Sequence, residues 1–173
     1  MSKEFDRGDY PASEARYFRI TLVRPSSAGQ DADLGRVAAE FVAARGKDRY
    51  SPFVQGFLTE LLQAKNRQYV ALGGEGVVLG VAAMMIYAEL GYPDEESALV
   101  SHLAADDYDV ADALLAQAEA DAARAACDWI GVHGGDTGEA AWQVYVDRGY
   151  VATDPEADPY YMRKDLADPY KTA

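Results

Sequence analysis

The chain has 173 residues, of which 49% are hydrophobic, enough for one domain with a sizeable core. Its 29 acidic and 16 basic residues give a formal net charge of −13. That charge argues against binding to nucleic acid or an anionic membrane and favours a cationic substrate or a basic partner, with a solvated acidic coat as the alternative. The sequence contains neither an apolar run of membrane-spanning length nor a hydrophobic signal core, so we expect a cytoplasmic protein.

The first third of the chain is predicted to hold an arm, a strand and two helices. Residues 1–15 are polar and aperiodic, as is typical of a flexible N-terminal arm, and the domain is predicted over residues 16–166. Alternation over Arg16–Arg24 predicts the first strand. Apolar residues at helical spacing over Asp31–Ala44 predict a helix, and Ser51-Pro52 has the pattern of an N-cap before a second one.

The rest of the domain alternates between strands and helices. The predicted elements are strands at 69–72 and 77–87 around a glycine turn, a loop at 91–96, a strand at 98–104, a helix at 110–126, a strand at 129–132, a helix at 139–148 and strands at 150–153 and 160–164. Residues 167–173 are predicted to form a C-terminal tail. This order, without a repeat or a linker, indicates a single α/β domain.

One segment carries a family resemblance. Residues 141–150 read Ala-Trp-Gln-Val-Tyr-Val-Asp-Arg-Gly-Tyr, which resembles the pattern Ala-x-x-hydrophobic-Tyr-x-x-x-Gly-aromatic of the GNAT N-acetyltransferase superfamily. The runs at 57–62, 69–72, 78–83 and 129–132 are similar to its aminoglycoside 3-N-acetyltransferase branch. The resemblance covers roughly residues 16–166. It implies a GNAT-like single domain with a mixed, mostly antiparallel sheet flanked by helices, whose fourth and fifth strands run parallel and splay apart around the 110–126 helix.

The resemblance implies two catalytic residues. Tyr145 stands where the superfamily has a general acid beside the thioester sulfur, and a phenol with a pKa near 10 suits protonation of a thiolate whose conjugate acid has a pKa of about 8.5. The alternative is that Tyr145 is a packed aromatic residue. His102, on the fourth strand, is the candidate base for the amine proton, with a purely structural histidine as the alternative.

The segment expected to bind acetyl-CoA departs from the superfamily pattern. Relatives bind the cofactor's pyrophosphate at a loop of type Arg/Gln-x-x-Gly-x-Gly/Ala before the long helix. Residues 103–115 contain neither glycine nor arginine. The cofactor-binding positions fall on Leu103, Ala104, Ala105, Val110 and Ala111, and the surrounding aspartates are those at 106, 107, 109 and 112. These aspartates also suit a helix start, and in either role we expect them to weaken acetyl-CoA binding.

The acceptor site and the activity remain open between hypotheses. His133, Asp136 and Glu139 are expected to line a pocket for a cation, and two histidines among scattered acids do not predict a metal site. The first hypothesis is an N-acetyltransferase that moves an acetyl group from acetyl-CoA to a primary amine of a cationic small molecule or peptide. The second is a catalytically silent GNAT-fold module that binds a cation, and the third is an interaction protein for a basic partner. A homodimer is one candidate assembly.

Overall fold

The computed structural model describes residues 18–23, 67–89, 92–105, 107–133 and 139–166. The predicted arm, tail and first two helices lie outside these ranges. The strands are β1 (Arg19–Val23), β2 (Arg67–Leu72), β3 (Val78–Glu89), β4 (Tyr92–Ala105), β5 (Trp129–His133), β6 (Val151–Ala152) and β7 (Tyr161–Asp165). The helices of the described part are α1 (Tyr108–Arg124) and α2 (Glu139–Asp147).

All seven strands belong to one mixed sheet of order β1-β2-β3-β4-β5-β7-β6. Every neighbouring pair is antiparallel except β4 and β5, which run parallel. A parallel pair needs a crossover connection, and α1 provides it. The predicted fold class, a mixed and mostly antiparallel sheet flanked by helices, is confirmed.

Within the described part of the chain, the two parallel strands are paired over three residues. Ala98–Val100 faces Ile130–Val132, whereas β4 continues beside β3 as far as Ala105. Directly after Val100, the register with β3 shifts by one residue at Ser101, which forms a bulge. The described pairing of β4 with β5 therefore ends at Val100 and Val132, one residue before β5 itself ends at His133, and a splay of the two strands stays a prediction. We call this region the β4–β5 split.

Two expectations about this region are wrong in detail. The predicted loop at 91–96 is largely strand, because β4 begins at Tyr92, which pairs with Glu89 at the end of β3. Cross-strand pairing here outweighs the local turn propensity of a Pro- and acid-rich segment. Helix α1 packs chiefly over β3 and β4 and contacts β5 less, so it lies on the sheet and not between the two parallel strands.

The core lies between α1 and this face of the sheet. Ala111, Ala118 and Ala122 of α1 are fully buried, and these small side chains let the helix lie close to the strands. Gly80 of β3 permits the same approach, since a Cβ built there would lie 2.8 Å from Val110 Cγ1 and 2.9 Å from Leu114 Cδ1. Neither helix of the described part is long and apolar enough to cross a bilayer.

Candidate functional site

The end of α2 fixes Tyr145 by a Schellman motif. Gly149 has φ +84°, its N–H donates to the Val146 carbonyl at 3.1 Å, and the Tyr150 N–H donates to the Tyr145 carbonyl at 3.0 Å. The apolar contact that usually accompanies this motif is made by the rings of Tyr145 and Tyr150, whose centroids are 5.8 Å apart. The segment Tyr-x-x-x-Gly-aromatic is therefore a helix terminus that orients the Tyr145 ring.

The hydroxyl of Tyr145 is buried without a hydrogen-bond partner among the described residues. The side chain is fully buried, in the same core cluster as Val100 and Val132, the last paired residues of the β4–β5 split. Burial raises the pKa of Tyr145, so the phenol stays protonated throughout the physiological range. A buried hydroxyl without a partner costs about 1–3 kcal/mol, which makes Tyr145 a candidate for contact with a ligand.

His102 follows the bulge and lies on the other face of the sheet. Its cross-strand partner is Ala83, whereas the next pair, Leu103 and Ala82, belongs to the core under α1. Side chains alternate along a strand, so His102 points away from α1. Burial lowers the pKa of His102 to about 4, which leaves the imidazole neutral near pH 7.

The segment before α1 begins the helix with a carboxylate cap. Asp107 is the N-cap residue, and its Oδ1 accepts the Asp109 N–H at 2.9 Å. This is the segment expected from the sequence to face the pyrophosphate. Here one backbone N–H already has an anionic acceptor, and Asp109 adds an exposed charge in the first turn. Asp106 lies outside the described residues.

Asp112 belongs to a separate group of ionic side chains that we call the Glu119 cluster: Asp112, Glu119, Arg148 and Lys164. Arg148 donates to Asp112 at 2.8 Å and to both carboxylate oxygens of Glu119 at 3.1 and 2.8 Å. Lys164 donates to Glu119 at 3.1 Å. Burial opposes the charge on Glu119, but the bonds from Arg148 and Lys164 outweigh it and lower the pKa of Glu119. The cluster joins α1, the end of α2 and β7.

Among the residues that the structure describes, few cations are available to a phosphate at the start of α1. Residues 68–123, which include β3, β4 and almost all of α1, contain no lysine or arginine. Arg148, which reaches the first half of α1 through Asp112, also carries both oxygens of Glu119. Of the five positions predicted to bind the cofactor, Leu103, Val110 and Ala111 are buried in the core and Ala104 and Ala105 are partly buried.

The predicted acceptor residues are only partly described. His133 is exposed at the end of β5, with Nε2 3.4 Å from Asp158 Oδ2. Asp136 lies outside the described residues, and Glu139 begins α2 without a described side chain. Tyr160 stands near both His133 and Trp142, with centroids 6.5 Å apart in each case. Asp158, Trp142 and Tyr160 were not predicted by sequence reasoning, because β7 returns to β5 from a distant part of the chain.

Within the described residues, no three His, Cys, Asp or Glu side chains come together in a way that could hold a metal ion. The Glu119 cluster was also missed by sequence reasoning. Its hydrogen-bonded partners are 29 to 45 positions apart, so no local pattern reports them.

Comparison with solved structures identifies the fold. A GNAT-family acetyltransferase of Staphylococcus aureus has a TM-score of 0.62 at 12% identity, with 86% of this chain and 100% of that chain covered. An acetyltransferase of Clostridium acetobutylicum with acetyl-CoA has a TM-score of 0.59 at 11% identity, with coverage of 80% and 92%. The NatC complex bound to Gag peptide and CoA gives 0.62 at 16% identity, with coverage of 87% and 99%.

These likenesses establish the fold of the GNAT acetyltransferases for this chain. The sequence itself matches no protein-family profile and no curated protein at a significant level. The activity must therefore be argued from the site.

Proposed function

We propose that the protein is an N-acetyltransferase that transfers an acetyl group from a thioester to a primary amine. The observation that carries this proposal is the Tyr145 hydroxyl, buried, protonated and without a described partner in the core beside the β4–β5 split. The GNAT fold supports it, since structures of this fold include one described with acetyl-CoA and one with CoA.

The chain's own residues supply both proton transfers. The amine nitrogen forms a bond to the acetyl carbon while the carbon–sulfur bond breaks, which gives an amide and a thiol. His102, neutral at pH 7, takes the proton that the amine loses, and Tyr145 gives its phenolic proton to the leaving sulfur.

The raised pKa of Tyr145 is compatible with this role. The burial that disfavours a phenolate disfavours a thiolate at the same place, so the pKa of the leaving thiol rises as well. The protein would otherwise have to expel a charged sulfur into a dry environment. Proton donation by Tyr145 avoids that cost.

We propose a cationic acceptor, either a small molecule or a peptide. The net charge of −13 favours a cation, and the exposed His133 and Tyr160 offer a rim on which it can dock. A structure of the same fold is described with a peptide. The aminoglycoside branch, the roles of Asp136 and Glu139 and a homodimeric assembly stay predictions.

A second function, a catalytically silent module that binds a cation, is favoured by one observation. Asp107 and Asp109 place two carboxylates at the start of α1, where relatives bind pyrophosphate. Such a module would keep the acidic surface and lack a donor site. An interaction protein for a basic partner would likewise have the acidic surface and lack a donor site.

A thiol-release assay with acetyl-CoA and a panel of polyamines, aminoglycosides and lysine-containing peptides tests the proposal. We expect amine-dependent release of thiol together with a mass increase of one acetyl group on the amine. Binding of polyamines without either product, at any donor concentration, would favour the silent module. Isothermal titration with acetyl-CoA then reports directly whether a donor site exists.

A further inference from the structure

We infer that this protein recognises its acyl donor through the acyl-pantetheine thioester and gains nothing from the phosphorylated ADP portion of coenzyme A. The inference rests on the proposed function and narrows it to a donor class. That class is an acetyl group on a pantetheine thiol, whether the pantetheine is free, part of coenzyme A or attached to a carrier protein.

At the helix start expected to bind the phosphates, one backbone amide is already bonded to a carboxylate of the chain itself. The Asp107 carboxylate accepts the Asp109 N–H, so a phosphate oxygen would have to displace a charged acceptor already in place. Asp109 is exposed at the same helix start and repels an approaching anion. A helix N-terminus attracts a phosphate only while its amides are available and its surroundings are not already anionic.

Among the described residues, β3, β4 and α1 up to residue 123 supply no cation that offsets these charges. The 56 residues from 68 to 123 lack lysine and arginine altogether. Arg148 reaches α1 only through its bonds to Asp112 and Glu119 at 2.8 Å each, and release of Arg148 would leave the buried Glu119 carboxylate poorly neutralised. The pyrophosphate portion of acetyl-CoA therefore does not fit the described residues.

The thioester end has the opposite character. The β4–β5 split begins after Val100, and the adjoining core holds the Tyr145 hydroxyl, which is buried without a described partner. An uncharged pantetheine arm with one thioester needs no cation or phosphate-binding amide there. We therefore expect the acyl-pantetheine portion of the donor to contribute binding affinity and the ADP portion to contribute none.

A donor series measures these contributions separately. Isothermal titration of the full chain with acetyl-CoA, S-acetylpantetheine and 3′,5′-ADP is run at 0.05 and 0.5 M NaCl. We expect the dissociation constants of the two thioesters to agree within about threefold in 0.5 M salt and no heat from 3′,5′-ADP. Acetyl-CoA should bind more tightly at high salt than at low salt, because salt screens repulsion between anions.

Two variants probe the helix start without removing its cap. Asp107→Ser keeps an N-cap acceptor and removes its charge, and Asp109→Asn removes the second charge. The double variant should bind acetyl-CoA at least fivefold more tightly than the native chain and bind S-acetylpantetheine as before. An acetylated carrier protein as a third donor identifies the source, since turnover well above that with S-acetylpantetheine would show that the carrier itself is recognised.

The outcomes separate this inference from the function on which it rests. The inference is overturned if acetyl-CoA binds tenfold or more tightly than S-acetylpantetheine and binds more weakly as salt rises. That result would not contradict the proposed acetyltransferase function. If neither thioester binds, even to the double variant, the inference and the proposed function both fail. Equal binding of the two thioesters with amine-dependent thiol release supports both.

Discussion

Tyr145 combines a buried hydroxyl without a described partner with a ring fixed by Tyr150. Removing such a hydroxyl relieves a desolvation cost, so Tyr145→Phe should leave the free energy of unfolding unchanged or raise it by up to about 1 kcal/mol. The same change removes the proposed acid and should lower kcat about 10²-fold or more. Urea denaturation and the thiol-release assay measure the two effects.

The matched control is Tyr150→Phe, which changes the neighbouring ring of the pair. Burial, followed by the charge of Glu119, raises the pKa of Tyr150, but this side chain has no proposed role in the reaction. We expect Tyr150→Phe to retain the native kcat. Full activity of the Tyr145→Phe variant would show that Tyr145 is a packed aromatic residue without a role in proton transfer.

His102 makes the stability of the fold depend on pH. Its pKa is lowered by burial to about 4, against about 6.5 in an unfolded chain. Between these values the unfolded chain binds a proton that the folded chain does not bind, so stability falls on acidification by up to about 1.4 kcal/mol per pH unit. Comparison of native chain and His102→Gln in urea from pH 4.5 to 7 should show a shallower decline for the variant.

His133→Gln is the matched control, because it removes an exposed imidazole and so distinguishes the loss of any histidine from the loss of the partly buried His102. An identical pH dependence of the native chain and His102→Gln would contradict the lowered pKa of the partly buried His102.

At the scale of elements, the Schellman motif at the end of α2 makes the stability of the fold sensitive to substitution of Gly149. A Cβ at Gly149 would meet no atom within 4 Å, but its φ of +84° disfavours any other residue by about 1–2 kcal/mol. Gly149→Ala should therefore lower the free energy of unfolding by about that amount. It should also lower activity, because the motif orients Tyr145.

Gly74→Ala is a matched control for this prediction. A Cβ at Gly74 also meets nothing within 4 Å, and its φ is not in the left-handed range. Circular dichroism melts of both variants make the comparison. Equal melting temperatures would show that the backbone of the α2 terminus is not strained by alanine.

The Glu119 cluster holds three elements together. Arg148→Met keeps much of the side chain's length and removes the bonds to Asp112 and Glu119, so the buried Glu119 keeps only Lys164. We expect a loss of about 2–4 kcal/mol in urea unfolding at pH 7. The loss of stability should be smaller at acidic pH, because a protonated Glu119 is uncharged and does not require neutralisation by Arg148. A loss that does not vary with pH would contradict this assignment.

Sequence reasoning succeeded where local patterns decide the structure. The spacing of the apolar residues and the placement of the glycines predicted five elements to within a few residues: β2, β3, α1, β5 and α2. The start of β4 at Tyr92 was missed, since it depends on pairing with β3. The Tyr145 pattern and the helix-starting aspartates could be found locally. The Glu119 cluster and the Asp158 contact to His133 could not, because tertiary folding alone brings those residues together.

At the scale of the whole molecule, the net charge of −13 should govern ligand binding. A polyamine attracted by this charge should bind more weakly as salt rises, because the Debye length falls from about 10 Å at 0.1 M to about 3 Å at 1 M. Titration of spermidine between 0.05 and 1 M NaCl measures this, with uncharged 1,4-butanediol as the control ligand. If spermidine binding does not depend on salt, or is absent, the acidic residues form a solvated coat that does not serve ligand binding.

The proposed domain limits can be tested at the same scale. Residues 16–166 are predicted to contain every element that the fold needs. The shortened chain should therefore keep the cooperative melt of the full chain within a few degrees, as measured by circular dichroism. A melt without a cooperative transition would place essential residues in the arm or the tail.

The most direct test of the central claim observes the Tyr145 side chain while a donor binds. The protein is labelled with ¹³C at the tyrosine ζ carbon, and the Tyr145 resonance is identified by its absence from the Tyr145→Phe spectrum. On titration with S-acetylpantetheine, we expect the Tyr145 resonance to shift in a saturable way with the dissociation constant found by calorimetry. Saturable donor binding that leaves the Tyr145 resonance unmoved would contradict the claim that this hydroxyl meets the thioester.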